Sequence, residues 1–427
     1  MQADVTLWNT YEHVHQLAVA LTKAQKHGVL IDIDRRNELT KRSEEKKNKI
    51  YERIREIAKQ DVNINSPKQI KELLYEKMKL PKIYKDGRLT TDENAILTLH
   101  KKYPDEEILS LILEYRRVSK LISTFLNVSV DDDHRMRTSY NASGTKSGRI
   151  SSSQDLFGRG MNLQNIPAGK KPGVENVRDV FIAPKGYSLI KADLSQAETR
   201  VVARILCRYA DYYLYNRYQE GFDIHKWAAS TIFGVKEEDV TKFQRNVGKI
   251  ANHSGNYCSG PKVIQSTAMK WGIDGISYQM AKQIVETRRK VLPGLVRWWK
   301  DVERQLARTR TMWTCLGRRR VFFGRVGDNS VIRDAVSFEP QSTVGDVCNI
   351  VFRRLWARKE ATDAPWTPIL QVHDEVVVET PDALIDDVIK EIRAAAFVPL
   401  DLNADLEPLV IPIDIAVGKD WKNCKEI

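Results

Sequence analysis

Hydrophobic positions recur at helical spacing through most of the first 140 residues. Residues 11–60 read as helix interrupted by a turn at His27-Gly28, and the charged stretch 35–60 keeps Leu39, Ile50, Ile54 and Ile57 on one side. Asn65-Ser66-Pro67 opens another helix, with serine at the cap, proline in the first turn, and Ile70, Leu73, Leu74 and Met78 as the buried stripe. A further helix is predicted over 108–128. The character then changes: Gly, Ser, Asn and Pro crowd residues 141–176, which predicts a structured loop. Residues 180–184 and 188–193 read as consecutive strands, and 196–310 return to helical patterns. Residues 367–379 and 409–417 read as strands flanking a helix near 381–397. This order predicts an α+β fold in which a sheet-built unit carries two long helical insertions.

Two of the predicted strands contain acids where apolar residues belong. Asp193 follows Leu189-Ile190, and Asp374 stands between Leu370-Gln371-Val372 and Val376-Val377-Val378. Burying an unpaired carboxylate is costly, so such acids face a cation, a metal or water. Their positions at strand edges suggest a shared divalent-cation site and phosphoryl-transfer chemistry. His373-Asp374-Glu375 reads as the tight bend of a hairpin. With unperturbed pKa values of about 4, both of its acids are ionised at neutral pH and repel unless a cation lies between them; Mg²⁺ favours a few carboxylates plus substrate phosphates. Ser195-x-x-Glu198 after Asp193 also fits a capping box, so Glu198 has a purely structural alternative. In 243–260, Arg245, Lys249, His253 and Tyr257 recur at steps of four. A basic-then-aromatic helix face suits a nucleoside triphosphate, and a solvated stripe with a satisfied histidine is the alternative.

Composition narrows the partners. A chain of 427 residues divides into two or three subdomains, and no apolar stretch reaches the roughly 20 residues of a membrane span. Neither a signal-peptide pattern nor paired cysteine spacing is present, so the five cysteines read as free thiols in a reducing compartment. A net charge of +12 and a pI near 9.3 suggest a polyanionic partner. Eight Lys/Arg fall between Arg297 and Arg320. The adjacent Arg318-Arg319-Arg320 after Gly317 suggest a shared anion.

Taken together, these segments resemble family A DNA polymerases. Asn65-Ser66-Pro67-Lys68-Gln69 and Glu114-Tyr115-Arg116 look like thumb helices. Residues 147–152 (SGRISS) and 162–167 (NLQNIP) resemble primer-template-binding blocks. DLSQAETR (193–200), RNVGKIANHSGNY (245–257) and VHDE (372–375) are similar to motifs A, B and C. The resemblance implies a right-hand fold with an antiparallel-sheet palm and mainly helical thumb and fingers. Its division would be 1–147 mainly thumb with the start of the palm, 148–204 palm, 205–327 fingers and 328–427 palm. It implies template-directed extension of a primer with dNTPs, in DNA replication or repair. Asp193, Asp374 and the Leu194 carbonyl would hold two Mg²⁺ ions, with Mn²⁺ as a substitute. Lys249 would serve as a catalytic proton donor. Arg245, Lys249, His253, Tyr257, His225, Glu198 and Gln196 would bind the nucleotide, Glu198 acting beside Tyr257 as a gate against the ribose 2′-hydroxyl. Arg149, Asn162, Gln164, Asn165, Arg333, Gln341 and His373 would contact primer or template, and Glu375 would support the site. A monomer in the cytoplasm, or in the host cytoplasm for a viral chain, is implied.

Departures from the family pattern bear on specificity. His253 stands where Phe or Tyr is usual, Ser254 and Cys258 replace glycines, and Ser337 replaces Asn. The loop QDLFGRGM (154–161) is longer than usual. Only 26 residues precede His27, and the resemblance then implies neither a 3′–5′ nor a 5′–3′ exonuclease. The rival readings are a polymerase that uses RNA templates or ribonucleotides, and a non-catalytic nucleic-acid-binding protein.

Overall fold

The computed structural model describes residues 2–167, 175–273 and 275–427, so residues 168–174 of the expected loop lie outside them. Its centre is a five-stranded, wholly antiparallel sheet. The order is Thr367–Val372, Glu375–Pro381, Tyr187–Leu194, Ile413–Gly418 and Lys425–Glu426. Alternation of side chains gives this sheet two apolar faces. Ile190, Ala192, Leu194, Val376 and Val378 pack into one cluster with helices Ala197–Cys207 and Asn329–Thr362. Leu189 and Val377 face the other way, into a cluster built by the thumb-like N-terminal helices.

That second cluster follows from local sequence. Gln2–His27 stops at Gly28, whose φ is +66° and where a Cβ would meet the Met136 carbonyl oxygen at 3.0 Å. Helix Ile33–Ala58 starts at Asp32, whose carboxylate accepts from the Arg35 N–H at 2.8 Å. Ser66 caps Pro67–Lys71, and Ile70, Leu73 and Leu74 are buried. The turns then widen to π over Glu72–Lys77, as they do over Ile122–Leu126 after Glu107–Leu121. Helix Gln2–His27 is an exception, since Leu17, Ala20 and Leu21 join the cluster of Asn329–Thr362. A third, smaller cluster (Val247, Ile250, Ile264, Ile284) ties helices Lys242–Gly255, Pro261–Lys270 and Tyr278–Val291 together.

Two expectations are corrected. Residues 180–184 form no strand; they follow the 3-10 turn Arg178–Val180 and make single bridges, Phe181 to Ile31 and Ile182 to Asp420. The segment is clamped between two different stretches of chain and gains one residue of pairing with each. Among the described residues, Arg318, Arg319 and Arg320 go to different partners instead of converging on one. Arg318 makes paired hydrogen bonds to Asp346, Arg320 meets Asp334 at 3.0 Å, and Arg319 lies over the Trp313 ring at 5.8 Å. Alternation along the strand Arg319–Val321 sends neighbours to opposite sides. The long loop closes tightly, with Asp155 accepting from the Phe157 and Arg159 N–H groups at 2.9 Å, and leaves Leu156 and Phe157 exposed. All five cysteines are free, and among the described residues no helix is long and apolar enough to cross a membrane.

Candidate active site

Along Tyr187–Leu194, alternation sends Ile190, Ala192 and Leu194 into the core and leaves Lys191 and Asp193 on the opposite side. Register pairs Asp193 with Glu375 on one neighbour and with Asp414 on the other. Residues paired in this way hold their Cβ atoms about 4.5–5.5 Å apart, a distance at which like charges repel. The hairpin turn adds a further acid. His373 makes the bend at φ +58°, and the Leu194 N–H donates to the Asp374 carbonyl at 3.1 Å. Acids 181 positions apart in sequence therefore meet at one sheet edge.

The electrostatics divide these acids. Burial, then Asp374, Glu375 and Asp414, push the Asp193 carboxyl up to about 7. The side chain still reaches solvent, so it lies in an open cleft with protein around it. Asp374 is also raised, chiefly by burial. Glu375 is different because both its oxygens are occupied: the Trp421 indole N–H donates to one at 2.7 Å and the Lys191 ammonium lies 3.3 Å from the other. Among the described residues, Asp193 and Asp374 make no ion pair. Nor do any three His, Cys, Asp or Glu form a complete metal cage. A few converging carboxylates without a full cage is the donor set that suits Mg²⁺ or Mn²⁺ bound jointly by protein and phosphates. The excess of carboxylates at this end of the sheet fits the same ion.

Glu198 does not cap its helix. Gln196 occupies the cap in left-handed conformation (φ +50°) with no side-chain cap bond. The Glu198 carboxylate instead pairs with the Arg149 guanidinium and accepts from the Tyr257 hydroxyl at 2.6 Å. Gly345 makes room for Arg149, since a Cβ there would meet the Arg149 Cγ at 2.9 Å; at Gly148, where φ is +77°, a Cβ would instead collide with the Arg318 guanidinium at 2.2 Å. The Gln196 side chain accepts from the Tyr218 hydroxyl at 3.4 Å.

The cationic groups lie on helix Lys242–Gly255, opened by a Thr241/Gln244 capping box. Arg245 pairs with Asp223 at 2.9 Å, and Asp223 also caps Ile224–Phe233 by accepting from the His225 N–H at 2.8 Å. Gly248 lets the two helices touch, since a Cβ there would sit 2.2 Å from the His225 carbonyl oxygen. Burial outweighs Asp223 and, with Arg245, Lys249 and Arg288, lowers the His225 pKa to about 4, so its ring is neutral at pH 7. Lys249 lies over the Trp271 ring at 5.8 Å, and the exposed His253 ring is tilted against the same indole. The stripe at steps of four is shorter than its sequence spacing: the helix ends at Gly255, and Tyr257 sits buried in the following turn.

A groove of about 250 Å³ beside the hairpin is lined by Arg149, Asn162, Gln164, Asn165 and His373. The Gln164 amide donates to the Gln371 carbonyl at 3.4 Å, tying the groove to the strand that leads into His373. Arg333 and Gln341 lie on the long helix and are not among the groove's lining residues. Sequence reasoning missed Asp414, Asp223, Asn252 and Trp421. Ile413-Asp414-Ile415 carried the same acid-in-apolar signal as Asp193, but alternation gives any half-exposed strand such a residue. Asp223 was visible only as an ordinary cap.

The chain matches the family model described as DNA polymerase family A over residues 33–423. It is 29% identical to the thermostable DNA polymerase I of Thermus aquaticus, over 98% of this chain and 49% of that protein. To the DNA polymerase I of Helicobacter pylori it is 30% identical, over 87% of this chain and 39% of the relative. The chain thus spans about half the length of the curated relatives it matches or less. Its fold is similar to that of the polymerase domain of Pol1 from M. smegmatis, solved with DNA primer-template and dNTP. The TM-score is 0.82 at 24% identity, covering 95% of this chain and 70% of that one. Match length and fold agree, and the chain belongs to DNA polymerase family A.

Proposed function

We propose that this chain is a template-directed DNA polymerase that extends a primer with dNTPs. The observation that carries the reading is the Asp193–Asp374 pair, joined through the Leu194 N–H and, among the described residues, left without an ion-pair partner, so that both carboxyls are raised. In this reading the sheet with residues 148–204 and 328–427 is the palm, 205–327 the fingers and 1–147 mainly the thumb. The related polymerase domain solved with primer-template and dNTP supports the same choice of partners.

Divalent cations held by Asp193, Asp374 and the Leu194 carbonyl would neutralise the transferring phosphate and lower the pKa of the primer 3′-hydroxyl. The chain's own groups do the rest. Arg245 and Lys249 bind the triphosphate, with Asp223 aiming the Arg245 guanidinium. Neutral His225 contributes a hydrogen bond and no charge. Lys249 supplies a proton to departing pyrophosphate. Glu198, fixed between Arg149 and Tyr257, crowds a ribose 2′-hydroxyl. The groove donors Arg149, Asn162, Gln164 and Asn165 meet base edges. Such donors read acceptors that every base pair presents in the minor groove, so they hold any sequence. Arg333, Gln341 and His373 complete the primer-template contacts. Glu375, occupied by Trp421 and Lys191, steadies the sheet edge.

Extension of a 5′-labelled primer with Mg²⁺ tests this, with DNA or RNA template and deoxy- or ribonucleotides in separate reactions. Extension on DNA with dNTPs is expected. No extension under any condition, with duplex binding retained, would favour the non-catalytic reading. A parallel incubation without nucleotides reports any primer shortening by this chain.

A further inference from the structure

Arg288 is an arginine in the wrong surroundings. It lies on helix Tyr278–Val291 within the charged run Thr287-Arg288-Arg289-Lys290, yet its exposure is 5%. Among the described residues no carboxylate pairs with it, and its Nε has no hydrogen-bond partner. Burial lowers its pKa to about 10, which leaves it charged at pH 7. An uncompensated buried cation costs stability, so packing does not explain it. The backbone makes space for it: a Cβ at Gly255 would meet the Arg288 Cδ at 2.5 Å.

Its two terminal nitrogens go to two side chains of the fingers helix one turn apart. Nη1 donates to the Asn252 Oδ1 at 2.6 Å, and Nη2 donates to the Asn256 Oδ1. A guanidinium only donates, so it fixes which way each amide points. With its oxygen held, Asn252 turns its NH₂ to the Ile224 carbonyl at 2.9 Å and to the His225 Nδ1 at 3.1 Å. His225 Nδ1 must then accept, and a neutral ring carries its proton on Nε2. Asn256 caps the helix, accepts the Trp299 indole N–H on its carbonyl at 3.0 Å, and directly precedes Tyr257, the hydroxyl of which donates to Glu198.

We propose that Arg288 is a positioning residue that organises both ends of the nucleotide site from beneath the fingers helix. Through Asn252 it locks His225 as the Nε2–H tautomer, a hydrogen-bond donor suited to a phosphate oxygen. Through Asn256 it holds the turn that presses Tyr257 against Glu198. The proposal rests on the polymerase reading for the ligand, but its geometry concerns the protein alone.

The test uses Arg288→Met, Arg288→Lys and Asn252→Asp in the full chain. Nitrogen-15 NMR of histidine-labelled protein without DNA or nucleotide reads the His225 tautomer. The wild type should show one neutral Nε2–H form, and Arg288→Met a mixture. Asn252→Asp keeps a partner for Arg288 but only accepts, so it should switch His225 to Nδ1–H. In primer extension, Arg288→Met and Asn252→Asp should raise the dNTP KM about tenfold, the scale of one or two lost buried hydrogen bonds. Affinity for primer-template should stay unchanged. Arg288→Lys should recover part of the loss, because one ammonium cannot span both asparagines. The thermal midpoint of Arg288→Met should be unchanged or higher, so the KM effect runs against stability. A folded Arg288→Met with wild-type tautomer and wild-type KM overturns the proposal. Should that variant fail to fold, an Asn252→Asp protein that retains the Nε2–H form overturns it instead. A wild type without polymerase activity would sink the proposed function while leaving the tautomer result standing.

Discussion

Acids at the two ends of the central hairpin and its neighbouring strand are in opposite electrostatic states. Glu379, far from the hairpin turn, is buried, yet Arg135 reaches it with two nitrogens at 3.2 and 3.1 Å and the His27 Nε2 lies at 3.0 Å. Against the upward push of burial, these partners hold its carboxyl below the ordinary range. At the turn end, burial and like-charged neighbours raise Asp374 and Asp193, and the opposing pull of His373 and Arg149 on the first and of Lys191 on the second does not offset them. A carboxylate is a structural clamp where the protein pairs it directly with cations. Where it does not, the carboxyls stay raised, which in the proposed reading is what a divalent cation would relieve.

The sharpest way to break this contrast is to neutralise each end in turn. Asp374→Asn should reduce single-turnover nucleotide incorporation by about 10³-fold or more, with primer-template affinity nearly unchanged in a filter-binding assay. Wild-type incorporation by that variant would place the chemistry elsewhere. Glu379→Gln should do the reverse, destabilising the fold by about 2 kcal/mol in urea titrations while leaving incorporation by the folded fraction intact. The sign of its pH dependence follows from the lowered pKa. The stabilisation is fully present above the unfolded carboxylate value of about 4.3 and disappears as pH falls through the folded value. The gap between wild type and Glu379→Gln should therefore close in acid.

A next, smaller effect concerns Glu198, an acid that sits between the two states because it is shared by Arg149 and Tyr257. Glu198→Ala should narrow the preference for dNTP over rNTP by about tenfold or more, measured as the ratio of kcat/KM values. An unchanged ratio would return Glu198 to a packing role. The smallest effect is on metal-free stability. Asp193 has a raised folded pKa, so its favourable contribution is complete below the unfolded value and is lost as pH rises through about 7. The thermal midpoint of metal-free wild type should thus fall relative to Asp193→Asn between pH 5 and pH 8, and Mg²⁺ or Mn²⁺ should restore it. A pH-independent difference would contradict the charge crowding.

Much of this arrangement was legible in the sequence because the signals were local or strongly periodic. Ser66-Pro67 announced a helix start, and Val-Val-Val beside His373-Asp374-Glu375 announced a hairpin. An acid inside an apolar run marked Asp193 and Asp374 and suggested a shared cation site, while the contact that brings them together, the Leu194 N–H on the Asp374 carbonyl, belongs to the sheet. Other features were hidden for physical reasons. The spacing of Tyr257 continues the helical period past a point where Gly255 and Asn256 end the helix. Arg318 to Arg320 looked like one cluster, yet a strand distributes neighbours to opposite sides. Arg288 sits in a charged run that reads as surface, and only the packed asparagines reveal that it is internal. Glu198 offered two partners at equal spacing cost, and the choice was made by Arg149 from a distant loop.

In the proposed reading, Asp193 and Asp374 form a divalent-cation site completed by nucleotide phosphates. Electron paramagnetic resonance titration of Mn²⁺ tests it most directly, using wild type, Asp193→Asn and Asp374→Asn with primer-template and a non-reactive dNTP analogue. Nucleotide-dependent Mn²⁺ binding is expected in the wild type, strengthening from pH 6 to pH 8 as Asp193 loses its proton, with severe weakening in either variant. Equal Mn²⁺ binding in all three proteins would contradict it.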